Sequence, residues 1–457
     1  MSEGESIATK NPARRWLGCL PVALLSLIGS GSAPCQPLTP VARHTLVLPY
    51  GIEAGAVSPD GRWFAAEGAT DQGLIVVHIA TNTPVRRFRT PGGPVTSFGL
   101  GYPFTAAAPR WGAGSKFVWA ADADTTRGGF PLGSLQPAQA VIGRPALLPG
   151  PSRREDPPSD PLDRLGALEH PAGLLDALLW ADDRGRGFAQ FGSKASLRSL
   201  DERAERPVFA MVDATERRVI ASLPFAAALG PLAAAGEQLD RIKVITGAAT
   251  TLPDGRMRLF AVMSARKSRD PDQWAGAWLV WTEGEGSRLL PQPYSEPNTR
   301  YGLTPDGAKV LVGLQLGPGM ICGAIGGCQV TGPPVTGPLV VTHDLSTGAP
   351  IWTLRATAAA PQNRRTPVVS PDGRLALVEL PEPKIAIGVV DMTDGRILQT
   401  LPAGNYPSFG FFQQGRCAFV QAPDQLQLYE VGVATPTSPS QAAGKAPSRC
   451  LAPTTTE

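Results

Sequence analysis

Short apolar runs recur along this chain, each opening just after a polar turn. "RWFAAEG", "RMRLFAVM", "AKVLVGLQL" and "RLALVEL" begin at Arg62, Arg256, Ala308 and Arg374. They are too short for a helical period to develop, and most are rich in β-branched or aromatic residues, so they read as strands. The turn before each is nearly the same: "SPDGR" at 58–62 and 370–374, "LPDGR" at 252–256 and "TPDGA" at 304–308. The proline pre-sets the first turn position, the aspartate accepts a hydrogen bond from the backbone that follows, and the glycine takes positive φ without steric cost. A turn of this kind between apolar runs predicts a hairpin.

A second signal follows at a variable distance: strand, aspartate-led turn, strand. It is "IAIGVVDMTDGRILQTL" at 385–401, "PLVVTHDLSTGAPIWTL" at 338–354 and "PVFAMVDATERRVIASL" at 207–223. Asp213, Asp344 and Asp391 hold matching places, where an Asx bond closes the turn. "GLIVVHIATNTPVRRF" at 73–88 has the pattern without the aspartate. Weaker copies of the first signal stand at Gly114, Gly185 and Gly415, so Gly61, Gly114, Gly185, Gly255, Gly307, Gly373 and Gly415 mark seven units, spaced 53, 71, 70, 52, 66 and 42 residues apart.

Two hairpins per unit make four strands, and such units at this spacing predict propeller blades. The longer spacings require insertions, at 125–176, at 225–239 with a short helix, and at 317–337. The strand at 44–49 has no partner of its own, while the last unit lacks a fourth strand. Joining the two closes the ring and removes its open edges. The expected fold is all-β: a single β-propeller of seven four-stranded blades over 44–432, closed by the N-terminal strand, with a disordered tail at 433–457.

"SPDGRWFAAEG" and "VSPDGRLALVEL" resemble the repeats of TolB-type and WD40-like bacterial β-propellers, and "IAIGVVDMTDGRILQTLPAG" resembles the related YVTN-type repeat. The resemblance spans about residues 46–432, with units one, four, five and six matching well. It implies a blade and leaves function open, because unrelated activities share this fold.

Composition narrows the setting. Of 457 residues 51 are glycine and 47 proline, which suits many short strands joined by turns. The net charge is +3 with signs interspersed, and without a basic stripe no nucleic-acid partner is expected. Arg14 and Arg15, the apolar run 16–28 and the small residues after it form the three elements of a secretory signal, placed at 1–33 and followed by a linker at 34–43. The run falls short of the roughly 20 residues of a comfortable membrane span, so none is expected in the mature chain. The alternative is an N-terminal anchor that stays on.

Export permits disulfides. Removing the signal removes Cys19 and leaves Cys35, Cys322, Cys328, Cys417 and Cys450, an odd number. Cys322 and Cys328 share one inserted loop, separated by "GAIGG", and are expected to pair. Ring closure brings Cys35 and Cys450 to one blade and predicts a second bridge between them, leaving Cys417 as a buried, inert thiol. The competing reading leaves Cys450 free or joined to another molecule.

Candidate chemistry is sparse. His78 and His343 lie at strand ends near the second turn, as metal ligands or, more commonly, as ordinary strand histidines. His44 and His170 have no nearby ligand set. "SARK" at 264–267 has the Ser-x-x-Lys spacing of some acyl-enzymes, but follows a strand and reads as a solvated loop. "DADTTRG" at 122–128 starts like a calcium loop without its later ligands. Trp63, Trp119, Trp278 and Trp352 fall inside strands, where inter-blade contact explains them, while Trp111, Trp180 and Trp274 lie at or near loops. No cofactor is expected. The function expected is that of an exported, non-catalytic, monomeric binding or scaffold module, holding another envelope protein or peptide on a propeller face. The alternative is an enzyme with a central-channel site, a lactonase-like hydrolase or a quinone-dependent dehydrogenase, built from residues scattered over several blades.

Overall fold

The repeated turn satisfies its own polar groups. At Ser58, Thr304 and Ser370 the hydroxyl donates to the aspartate two residues on, Asp60, Asp306 and Asp372, at 2.5–2.6 Å. That carboxylate accepts the backbone N–H of Arg62, Ala308 and Arg374 at 3.0–3.1 Å. The hydroxyl oxygen in turn accepts the N–H of Trp63, Lys309 and Leu375, each at 2.9 Å. The turn glycine, at φ between +64° and +77° in these three, donates its N–H to the carbonyl of the first turn residue at 2.8 Å. Leu252 lacks a hydroxyl, yet its turn keeps the bond from the Arg256 N–H to Asp254 at 3.0 Å and the glycine bond at 2.8 Å. These bonds all lie within the turn itself, so its shape is set locally.

The computed structural model describes residues 38–45, 52–68, 74–88, 110–111, 117–119, 129–131, 175–181, 186–191, 208–213, 216, 218–232, 239–267, 274–294, 300–314, 319–322, 328–331, 337–355, 366–380, 385–403, 408–422, 425–431 and 450. The chain divides into two compact units, Met1–Pro34 and Cys35–Glu457, and every described residue belongs to the second.

Strand β1 (Ala42–Thr45) belongs to the last sheet of the chain. Sheet one holds β2 (Ile52–Val57), β3 (Trp63–Gly68), β4 (Leu74–His78) and β5 (Thr83–Phe88). Sheet two has three short strands, β6 (Arg110–Trp111), β7 (Phe117–Trp119) and β8 (Gly129–Pro131). Sheet three follows with β9 (Leu175–Ala181), β10 (Arg186–Phe191), β11 (Val208–Asp213) and β12 (Arg218–Pro224). The longest strands form sheet four: β13 (Leu239–Thr251), β14 (Met257–Lys267), β15 (Trp274–Thr282) and β16 (Gly286–Pro291). Sheet five pairs β17 (Arg300–Leu303), β18 (Lys309–Gly313), β21 (Pro338–Asp344) and β22 (Pro350–Arg355), and a separate hairpin, β19 (Gly319–Cys322) and β20 (Cys328–Thr331), is inserted between its middle strands. Sheet six holds β23 (Val368–Val369), β24 (Leu375–Leu380), β25 (Ala386–Asp391) and β26 (Ile397–Pro402). In sheet seven β27 (Ser408–Phe412), β28 (Cys417–Ala422) and β29 (Gln425–Glu430) are completed by β1. The insertion at 225–239 supplies a helix at Phe225–Leu229 followed by a 3₁₀ turn at Gly230–Leu232.

Closure by an N-terminal strand is observed, with a shifted register. The described part of the closing strand is Ala42–Thr45, which begins two residues before the expected 44–49 and pairs Ala42 with Leu428 and Thr45 with Gln425. The apolar "LVLP" drew the expectation forward, but an edge strand buries only one face. Ala42 and His44 are partly buried while Arg43 and Thr45 are exposed. Residues 46–51 lie outside the described residues.

The apolar residues collect in seams between consecutive sheets. Phe188, Phe209 and Met211 of sheet three meet Met257, Leu259 and Trp281 of sheet four, with the helix residues Phe225 and Leu229 added. Phe260, Trp278 and Val280 of sheet four meet Tyr301, Val310 and Val341 of sheet five. Leu311, Val340 and Trp352 of sheet five meet Val378, Val390 and Met392 of sheet six. Leu377, Ile387 and Val389 of sheet six meet Phe409, Val420 and Tyr429 of sheet seven. Phe412, Phe419 and Leu428 of sheet seven meet Val57, Phe64 and Ile79 of sheet one. A middle strand therefore has a seam on each face. This is why β11 is buried at every position and why such runs are continuously apolar rather than alternating. The first strands also lie side by side: β13 by β17, β17 by β23, β23 by β27, β27 by β2 and β2 by β6. Radial sheets joined edge to seam, first strands innermost and the last sheet completed by the first strand of the chain, define a β-propeller.

One predicted bridge is replaced by another. Cys450 pairs with Cys417, with Cα atoms 5.8 Å apart, and not with Cys35. Both cysteines are fully buried in the seam between sheets seven and one. Cys417 opens β28. Cys417 is buried as expected, but it is not a thiol. Cys35 lies outside the described residues, as does the rest of the tail beyond residue 431.

Candidate functional site

The two ends of the inner strands differ in kind. At one end the first turns interlock from sheet to sheet. The Thr250 hydroxyl donates to the Pro305 carbonyl at 3.1 Å, and Arg258 Nη1 to the Gly307 carbonyl at 2.8 Å. Arg186 Nη1 reaches the Gly255 carbonyl at 2.5 Å, and its other nitrogen binds Glu283. The Gln413 N–H donates to the Pro59 carbonyl at 2.9 Å and joins the seventh turn to the first. Further out, the Trp352 Nε1–H donates to the Met392 carbonyl at 3.1 Å, and the Asn82 side chain donates to the Thr45 carbonyl. Exposed charges at this end are matched locally: Arg256 bonds Asp254 at 2.7 Å and Glu285 at 2.6 Å, holding both carboxyls below their usual range. Donors and acceptors are thus largely committed to the neighbouring sheet.

The opposite end carries the long connections. The segments between second and third strands, and those crossing from one sheet to the next, leave from there, including the insertions at 225–239 and 317–337. Sheet four projects furthest, since β14 runs eleven residues from its turn where β18 runs five. The extra length is roughly 20 Å at 3.4 Å per residue. Arg300 starts β17 at this end. It is partly buried, its guanidinium makes no hydrogen bond or ion pair among the described residues, and burial pulls that guanidinium below the usual range. Sequence reading missed it, because a single arginine opening a strand has no local pattern to announce it.

The predicted site residues are not brought together. His78 belongs to sheet one, packs at a tilt against Trp63 with ring centroids 4.9 Å apart and meets the Thr81 hydroxyl through Nδ1 at 2.9 Å. It pairs with Trp63 just as Asp344 pairs with Lys309 and Asp391 with Leu375, so histidine stands in the place of the missing turn aspartate. His343 belongs to sheet five. Its Nδ1–H donates to the Gly348 carbonyl at 2.9 Å, which leaves Nε2 to accept from the Tyr294 hydroxyl at 2.9 Å, and Trp278 packs edge-on at 5.0 Å. Burial is the main reason both imidazoles, and that of His44 in β1, are held below their usual range. Both turn aspartates make their expected bonds: Asp344 accepts from the Ser346 N–H at 2.6 Å and Asp391 from the Thr393 N–H at 2.8 Å. Asp213 accepts from the Glu216 N–H at 3.0 Å.

Ser264 and Lys267 lie within β14 rather than in a loop, because sheet four is longer than its neighbours. A strand does not offer the shared helical face that a serine–lysine pair three residues apart needs. Trp278 is fully buried and Trp63 and Trp352 nearly so, each in an inter-sheet seam or beside one. Trp119 lies in β7, and Trp111, Trp180 and Trp274 lie at or next to strand ends. Cys322 and Cys328 stand directly opposite each other across β19 and β20. His170 and residues 122–128 lie outside the described residues. Among the described residues no helix is long and apolar enough to cross a membrane.

No family model matches the chain, and no curated protein does. Solved structures do. Hydrazine synthase of Kuenenia stuttgartiensis is 13% identical, over 85% of this chain and 98% of its own, with a TM-score of 0.46. U3-55K is 11% identical over 86% of this chain and 100% of its own, with a TM-score of 0.48. The WD40 repeats of RRP9 are 10% identical over 87% and 99%, with a TM-score of 0.46. At these values the likeness concerns shape alone. The class, a β-propeller, rests on the sheets, seams and turns of the chain itself.

Proposed function

We propose that this chain is an exported, non-catalytic propeller of seven blades, sheet two being the least regular, that serves as a binding or scaffold module in a bacterial envelope. In this reading it is kin to the TolB-type repeat proteins, works as a monomer, and is released from its signal after about residue 33. The observation that carries the reading is the asymmetry of the two ends. At one the described first turns bond across the junctions of sheets three and four, four and five, and seven and one, and the other carries the insertions on a rigid frame, the arrangement that recognition loops use. A partner protein or peptide is placed at the loop-bearing end.

Crosslinking in intact envelopes tests this, and N-terminal sequencing of the recovered protein tests export. One variant replaces residues 268–273 and 317–337 with short turns, and a second carries Arg256→Ala at the turn end. The expected result is a crosslinked partner retained by the second variant and lost by the first. Identical crosslinks in both, or an intact Met1 on a cytoplasmic protein, would overturn the proposal.

A further inference from the structure

The turn glycines put the first strands in a common register, so that they can be compared level by level. Arg300 stands seven residues before Gly307, and the same place before Gly61, Gly255, Gly373 and Gly415 is held by Ala54, Ala248, Thr366 and Ser408. β13, β17, β23, β27 and β2 lie side by side in that order, so these residues border the axis of the ring at the end that bears the insertions. Among them Arg300 alone carries a charge.

Its surroundings offer that charge no partner. Arg300 pairs with Gly313 across the sheet and shares its face with Gly302. The face is turned to sheet six, since a Cβ on Gly302 would stand 2.6 Å from the Pro367 carbonyl oxygen and one on Gly313 would stand 3.2 Å from Pro367 Cδ. The arginine therefore leaves its strand beside a buried proline and two glycines, none of which has a side-chain acceptor. The acids of the adjoining strands are engaged elsewhere. Glu379 of β24 shares its face with Leu375 and Leu377, which pack toward sheet seven. Asp306 and Asp344 close turns at the opposite end. Asp240, with Arg241 and Lys243, lies five to eight positions before Ala248 in β13. Burial lowers the proton affinity of the Arg300 guanidinium, yet arginine stays charged at ordinary pH. None of its nitrogens is sealed from solvent. A charge drawn partly out of water without a counter-charge costs stability, and an anion that binds it restores what was lost.

We propose that Arg300 is an anion site at the insertion-bearing mouth of the ring, where its guanidinium takes a carboxylate through two parallel hydrogen bonds at the junction of β17 and β23. One guanidinium, beside a proline that has no N–H and with no second cation at its level, matches a single negative charge better than the nearly two of a phosphate group. The inference does not rest on the scaffold reading, because a peptide and a small acid bring the same group and the assay contains no protein partner. The melting temperature of the full chain is measured at constant ionic strength with sodium acetate, with acetyl-trialanine bearing a free C terminus, with the C-terminal amide of that peptide, and with sodium phosphate. A rise is expected with the free-acid peptide and none with its amide. A rise with acetate equal to that with the peptide at the same concentration identifies a small acid as the occupant, and a larger rise with the peptide identifies a chain terminus; both support the proposal. Arg300→Lys, which keeps the charge without the planar fork, should need about tenfold more peptide for the same rise. Arg300→Gln should abolish the rise, while the unliganded variant melts no lower than the parent, because no bond is lost with the charge. No rise with either acid, an equal rise with the amide, a rise that survives Arg300→Gln, or a larger rise with phosphate than with the acids overturns the proposal. An unliganded Arg300→Gln protein that melts below the parent also overturns it, because the guanidinium would then already serve a partner within the chain.

Discussion

Removing the bridge between Cys417 and Cys450, by Cys417→Ala with Cys450→Ala, should loosen one seam of the ring before the others. The bridged cysteines lie 33 residues apart. Closing a loop of that length removes unfolded-state entropy worth roughly 3–4 kcal/mol on the chain-entropy argument. Alanine is preferred to serine, because both positions are fully buried among Phe412, Phe419 and Leu428, and a hydroxyl there would add about 1–3 kcal/mol of unpaired polar burial. For a unit of this size, unfolding entropy near ~2 cal/mol/K per residue turns the loss into a fall of roughly 4 °C in Tm. The assay is thermal unfolding of the variant, and of the parent with and without reductant, alongside hydrogen exchange. Exchange should rise first in β1, β28, β29 and β2, which border the seam. A peptide map of unreduced protein should show Cys417 linked to Cys450. A map linking Cys450 to Cys35, or a variant with parental Tm and parental exchange in those four strands, would refute the reasoning.

Two further outcomes follow from the turns and the histidines. Gly255→Ala should cost about 1–2 kcal/mol for its positive φ alone, since nothing stands within 4 Å of the added Cβ. Gly307→Ala should cost about 1–3 kcal/mol more, because its Cβ would stand 2.6 Å from Leu252 Cδ2 and 3.0 Å from Arg258 Cδ, across the seam. Equal losses in urea unfolding would count against interlocked turns. His44, His78 and His343 are held below their ordinary range chiefly by burial, so they stay neutral when folded at a pH where the unfolded chain protonates them. Their contribution is complete above about pH 6.5 and is lost as the pH falls from there toward the folded values. Stability measured from pH 7.5 down to pH 5 should decline, and His343→Gln, which keeps a neutral polar group beside Tyr294, should flatten the decline. A slope unchanged by that substitution would remove His343 from the account.

The turns were legible in the sequence because their chemistry is local. Each Ser/Thr-Pro-Asp-Gly segment carries its own donors and acceptors, and nothing distant is needed to close it. The strands were legible for the opposite reason: a seam on both faces leaves no polar alternation, so "VFAMVD" and "LALVEL" read as continuous runs. Where residues from different sheets had to be chosen between, sequence reasoning failed. Ring closure led the expectation to pair Cys35 with Cys450, but an argument from sheet membership cannot decide which sulfur Cys450 meets, and it meets Cys417. His78 looked like a candidate ligand because, like His343, it ends a strand near the second turn, and only the register shows that it fills the place of the missing turn aspartate. Ser264 and Lys267 fell in an apparent loop because nothing in the local pattern says that sheet four outruns its neighbours. Arg300 went unnoticed for want of any pattern at all.

The interlocking of the turns also bears on where this molecule can vary. A first turn here answers to two sheets at once. Thr250 and Arg258 of sheet four hold the backbone of the fifth turn, and the seventh turn is bonded to Pro59 of the first. A Cβ on Gly415 would stand 3.2 Å from Ser370 Cβ and 3.3 Å from Pro371 Cδ, so even one methyl group presses on the sheet before it. Lengthening such a turn would open the seams on both of its sides, and the aromatic and aliphatic residues there would lose contact. The opposite ends of the same strands have no such obligation. A connection there needs only to leave one strand and return to the next, and the entropy of a longer loop grows slowly with its length. The helix at Phe225–Leu229, the extended strands of sheet four and the β19–β20 hairpin all use that freedom, and all three are at that end. Selection for a particular ligand therefore acts on segments whose sequence the fold does not dictate, which is why the function must be sought in them rather than in the repeat.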